Sequence, residues 1–190
     1  MLTIEQKNNN EIRFMELLAK LNIDLTEISK LLDQTDYFDK PASTQYTKAY
    51  PGGLCEHALC VAHELGVLCN AYFPGRYTEE DVIKVALFKD LYRATMYEAF
   101  MKNVKDDSTG QWVTMPAYRT REGSNRPVYG DLGFSSYMQI KNIVPLTDEQ
   151  IEAIIYSKPS DTGPDIHEVQ RAYPLVALTR MAETAASYFG

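Results

Sequence analysis

Lys89, Asp90 and Arg93 close the string Val85-Ala86-Leu87-Phe88-Lys89-Asp90-Leu91-Tyr92-Arg93, an apolar run that turns charged at its end. Lys89 and Arg93 stand four apart, so on a continuous helix they share a face and can floor an anion pocket. The competing reading of Lys89 is an internal ion pair, because a buried ammonium needs an acidic partner. Lys105, Arg119 and Arg121 are further cations for the rim of such a pocket, and Tyr97, Trp112, Tyr118 and Tyr129 are its aromatic neighbours. An aromatic wall over a basic floor suits a nucleotide, whose base stacks while its phosphates take charge-assisted hydrogen bonds. The same rings serve equally well as hairpin packing. Cys55 and His57 are too close in sequence to face each other on a helix, which argues against a Cys-His nucleophile pair.

The elements that must position these residues are mostly helical. Apolar residues recur at helical spacing over Glu11–Leu21 and Ile23–Leu32, the second with Asp24 as cap. Residues 35–53 lose the period and carry Pro41, Pro51 and a glycine pair, which predicts a loop. Leu54–Tyr72 reads as a long buried helix. Thr78 with Asp81 forms a capping box opening a helix over Glu79–Leu91. Met101–Val104 and Gln111–Met115, separated by a polar Asp106–Gly110 turn, predict a β-hairpin spanning about 98–118. Arg119–Gly130 and Ser157–Glu168 are expected as loops able to cover a site. Helices are expected over Gly133–Ile143, from Thr147 (with Gln150 as box partner) to Tyr156, and from Pro174 to Tyr188.

A chain of 190 residues is most simply one domain, with the segment 1–34 contributing N-terminal helices. The fold class expected is mainly α, a helical bundle with a small inserted β-hairpin. A net charge of −7 disfavours duplex nucleic acid and an anionic membrane as partners, while leaving room for a small anion at a local basic cluster. The N-terminus has no secretory pattern and no apolar run approaches a membrane span, so the expected location is the cytoplasm. Cys55, Cys60 and Cys69 are odd in number and fall in one helix, and so read as reduced thiols.

Two strings carry a family likeness: Gly52-Gly53-Leu54-Cys55-Glu56-His57-Ala58-Leu59, and the run ending in Lys89-Asp90. The first resembles the helix start bearing the leading histidine of HD-domain phosphohydrolases. The second is similar to that family's helix ending in His-Asp, with Lys89 in the histidine's place. Arg93, Tyr97, Lys102-Asn103-Val104-Lys105, Trp112, Pro116, Pro145–Glu149 and Met181–Tyr188 continue the likeness, which runs from about Ala42 to Tyr188 and is nearest to small phage and prophage members.

The resemblance implies an HD-like bundle in which His57, Asp90 and Glu183 occupy three metal-ligand positions. It also implies losses, because Thr47, Leu132 and Ser157 stand where related proteins place accessory histidines; His63 and His167 match none of the family's positions. An ammonium has no lone pair and cannot ligate a metal. Beside a divalent ion it costs roughly 4 kcal/mol per pair of unit charges at an intermediate dielectric. The expectation is therefore a protein without catalytic residues, metal or cofactor. It would bind a small phosphorylated ligand, a nucleotide foremost, through His57, Lys89, Asp90, Arg93, Tyr97, Lys105, Trp112, Tyr118, Arg119 and Glu183. The phage likeness extends this to sequestration of a host immune nucleotide signal. The alternatives are a phosphohydrolase using a reduced metal-ligand set, and a protein-interaction module on the same scaffold. A homo-oligomer is compatible with each.

Overall fold

The computed structural model describes residues 2–122, 131–158 and 164–190. The chain is mainly helical with one small antiparallel sheet. In order, the elements are α1 (Ile4–Leu18), α2 (Leu25–Gln34), a 3₁₀ turn (Tyr37–Asp39), α3 (Gly53–Tyr72), α4 (Glu79–Phe88), α5 (Tyr92–Met96), β1 (Tyr97–Lys105), β2 (Trp112–Thr120), α6 (Leu132–Ile140), α7 (Asp148–Ile155), α8 (Ile166–Ala172) and α9 (Pro174–Tyr188). No helix among the described residues is long and apolar enough to cross a membrane.

The core gathers around α3, which packs against α9, α4 and α1. Leu54, Ala58, Val61 and Leu65 of α3 are buried, as are Val85 and Phe88 of α4 and Leu178 and Ala182 of α9. The entry to α3 depends on two glycines. Gly52 has φ +83°, and a Cβ on Gly53 would stand 2.1 Å from the Lys48 carbonyl oxygen, so only glycine admits this close approach. That approach fixes where α3 begins and hence aims His57, one turn inside, at the centre of the molecule.

Helix ends follow the side-chain chemistry. Thr78–Asp81 and Thr147–Gln150 form complete capping boxes, and Asp24 accepts from the Thr26 amide. Pro174 sits in the first turn of α9, as expected. Several boundaries differ from the sequence expectations. The first helix starts seven residues earlier, because Thr3 and Gln6 form a third capping box and polar residues complete the exposed face. The 157–168 stretch contains the start of α8, capped by Asp165. The hairpin is longer than expected at both ends, and Arg119 belongs to β2 rather than to a loop. Thr120 also ends β2, whereas residues 123–130 of that expected loop, including Tyr129, and residues 159–163 lie outside the described residues.

The largest correction concerns the charged end of α4. The expected helix to Leu91 stops at Phe88, and α5 starts only at Tyr92. Between them the amides of Leu91, Arg93 and Ala94 donate to the carbonyls of Phe88, Asp90 and Leu91, three residues back. The backbone thus tightens to 3₁₀-like turns, and Lys89 and Arg93 do not share one continuous α-helical face.

Candidate functional site

Four segments bring their charges together. α3 supplies His57, the tightened turn supplies Lys89 and Asp90, α5 supplies Arg93, and α9 supplies Glu183. The residue after Ser157 adds Lys158. Lys89 is fully buried, and its Nζ donates short hydrogen bonds to Asp90 Oδ2 and Glu183 Oε2. Arg93 Nη2 donates to Glu183 Oε1 at 3.1 Å, and its Nε lies 3.0 Å from Asp90 Oδ1. The remaining bonds of the guanidinium run from Nε to the Tyr92 hydroxyl (3.2 Å) and from Nη1 to the Ala42 carbonyl. Lys158 Nζ donates to Glu183 Oε1 and approaches Asp90 Oδ1 at 3.6 Å. Three cations therefore enclose two carboxylates.

Burial alone would raise both carboxyl pKa values. For Asp90, Arg93, Lys158 and Lys89 outweigh it; for Glu183, Lys89, the His57 hydrogen bond and Lys158 do so. Both acids are held well below the usual carboxylate range. Lys158 moves the other way. Burial, aided by Lys89 and Arg93, lowers its pKa to about 8 despite Asp90 and Glu183.

His57 is buried and its pKa is lowered, chiefly by desolvation, against the opposing pull of Glu183. The imidazole is therefore neutral near pH 7. Its Nε2 stands 2.8 Å from Glu183 Oε2, an atom that can only accept, so Nε2 carries the proton and donates. Nδ1 is then an acceptor, and it is buried without a hydrogen-bond partner among the described residues.

His57, Asp90 and Glu183 place one ligand atom each within 4.8 Å of one another, a spacing fit for a divalent ion. The cation held by those carboxylates is instead the Lys89 ammonium. With Lys89 protonated there and His57 Nε2 committed as a donor, this arrangement does not fit a metal ion.

Above the charged centre lies a cleft of about 530 Å³. Arg93, Lys158, Arg180 and Glu183 supply its charged lining, and Tyr46, Tyr97 and Tyr188 its aromatic rings. Arg180 donates to the Tyr156 carbonyl at 3.2 Å and retains further N–H groups. Of the ligand contacts expected from sequence, Arg93, Tyr97 and Glu183 line this cleft, as do Thr47 and Ser157. His57, Lys89 and Asp90 lie beneath it. The hairpin residues Lys105, Trp112, Tyr118 and Arg119 are not among those lining it. Trp112 is 73% exposed, Tyr118 points its hydroxyl at the Asp39 carbonyl, and Arg119 pairs with Glu98 at 2.8 Å. His63 lines a different groove, between α1, α3 and α4.

Lys158, Arg180 and Tyr46 escaped the sequence reading. Lys158 and Arg180 are isolated cations whose value depends on tertiary placement; the signal nearest to Lys158 was its neighbour Ser157, flagged for a missing histidine. No protein-family profile, curated protein or solved structure matches the chain.

Proposed function

We propose that the chain is an HD-like protein that has exchanged its metal for a lysine and binds a small phosphorylated ligand without hydrolysing it. The observation that carries this reading is the Lys89 ammonium seated between Asp90 and Glu183, bound to two of the three potential ligand residues. A charge that a diffusible cation would supply is thereby supplied by the chain. Once the two carboxylates are neutralised by Lys89 and Arg93, Lys158 and Arg180 leave the cleft electropositive. That polarity suits phosphate, and Tyr46 and Tyr97 offer faces for a base. Lys89 acts from below, as structural counter-ion, while Lys158 and Arg180 make the ligand contacts. Such a protein holds its ligand and releases it intact, which is the behaviour sequestration of a nucleotide requires.

The convergence of His57, Asp90 and Glu183 supports a second reading, a phosphohydrolase with a reduced ligand set. One preparation separates the two. Protein purified without chelator is assayed for bound metal, and small molecules released on denaturation are identified by mass spectrometry. A released phosphorylated compound, absent from Lys158→Ala and Arg180→Ala proteins and accompanied by no stoichiometric metal, supports the binder. Stoichiometric transition metal with turnover of phosphate esters overturns it.

A further inference from the structure

We propose that the outer edge of β1 is a self-pairing surface, at which two copies of the chain join their ribbons into one continuous antiparallel sheet. Each ribbon has two strands, β1 and β2, and among the described residues no further strand flanks them. A two-stranded ribbon is marginal in water without added strands or a supporting face. This one carries Met101 (62% exposed), Trp112, Val113 and Met115 as exposed apolar side chains.

The two open edges are not equivalent. The Asp106 amide donates to the Gln111 carbonyl and the Arg121 amide to the Met96 carbonyl, which sets the hydrogen-bonding phase of the ladder. Alternation from those bonds turns the backbone groups of Ala99, Met101, Asn103 and Lys105 outward on β1, and those of Thr114, Pro116 and Tyr118 outward on β2. Pro116, paired with Met101, therefore places its donor-less nitrogen in the middle of the β2 edge and closes that edge to strand addition. The β1 edge has no such stop. Among the described residues, no backbone hydrogen bond engages the outward groups of Ala99, Met101, Asn103 and Lys105.

The β1 sequence is complementary to itself when antiparallel about Phe100. In that register Glu98 stands across from the partner's Lys102, Lys102 across from the partner's Glu98, and Phe100 across from the partner's Phe100. The register also satisfies the phase: Ala99 and the partner's Met101, both facing outward, exchange N–H and C=O bonds. Arg119, which already holds Glu98 at 2.8 Å and covers the Phe100 ring at 5.3 Å, flanks the aromatic pair. Opposite charges at cross-strand positions stabilise a register, and like charges there disfavour it. The occupant that pairs both Glu98 and Lys102 with an opposite charge is thus a second copy.

The test uses charge exchange on the full chain, read by sedimentation equilibrium. The wild type should show a concentration-dependent dimer. Lys102→Glu and Glu98→Lys proteins, confirmed folded by circular dichroism, should each self-associate roughly tenfold more weakly, because each sets like charges across the joint. An equimolar mixture of the two should regain dimers, since every cross-strand pair is again opposite in sign. Independently of the variants, the Ala99 and Met101 amides should exchange with deuterium more slowly as concentration rises. A monomeric wild type at all concentrations overturns the proposal. So does a dimer indifferent to both reversals, or a mixture that stays monomeric. Ala99 and Met101 exchange rates independent of concentration overturn it as well.

Discussion

Around Glu183, Lys89, Arg93, Lys158 and His57 all converge on one carboxylate, half-buried in the floor of the cleft. Along the β-ribbon, Arg119 is largely exposed and its ion pair is with a single carboxylate, Glu98. The difference separates two uses of the same residue types. In the centre, desolvation makes every pairing obligatory, because a lone buried charge costs far more than the pair returns. On the ribbon, water replaces any lost partner, so a charge there sets register and adds little stability.

Removing charges in the two regions should therefore have very different consequences. Glu183→Ala should be the most damaging change, costing roughly 3–5 kcal/mol in chemical denaturation, because it leaves Asp90 as the one carboxylate facing three cations and removes a partner from Lys89, Arg93, Lys158 and His57 at once. Lys89→Met should cost less, about 2 kcal/mol, since Arg93 and Lys158 still face both acids and the new side chain fills the space. If Glu183→Ala is tolerated as easily as an exposed substitution, the contrast between the regions is wrong.

Titration sharpens the same contrast. Asp90 and Glu183 have folded pKa values below their ordinary 3.8 and 4.5, so their contribution is complete above those values and is lost as pH falls below them. His57, lowered from 6.5, adds an earlier loss, because below that pH the unfolded chain binds a proton that the folded chain refuses. Melting temperature should therefore decline as pH drops below about 6.5 and steeply below about 4.5. At the alkaline end, Lys158 sheds its proton near pH 8, so the affinity of the cleft for a phosphorylated ligand should fall as pH rises through about 8 in isothermal titration. A ligand affinity flat from pH 7 to 9 would remove Lys158 from the binding surface. The smallest effect belongs to the ribbon. Trp112→Ala should shift stability by less than about 0.5 kcal/mol, as expected for a side chain that is largely in water.

Much of the helical frame was legible because local chemistry declares it. Thr78 with Asp81 and Thr147 with Gln150 announce helix starts in four residues, and Pro174 announces another. The start of α1 was hidden because Lys7-Asn8-Asn9-Asn10 has no apolar period, although Thr3 and Gln6 carried the cap. The break after Phe88 was invisible, because nothing in Phe88-Lys89-Asp90-Leu91 breaks a helix. There, burial of Lys89 and Asp90 against α3 and α9 overrides local propensity. The site divided the same way. His57, Lys89, Asp90, Arg93 and Glu183 are assembled as one cluster, whereas Lys158 and Arg180 reach the cleft by tertiary placement alone. The hairpin's pattern was read correctly as strand, but its aromatic and basic residues point elsewhere than the cleft.

Lys89 has one more consequence. A counter-ion tethered to the polypeptide arrives with translation, at one copy per molecule, and can be neither stripped by a chelator nor swapped for a competing ion. The charge balance at the heart of this fold is thereby independent of the cell's mineral supply.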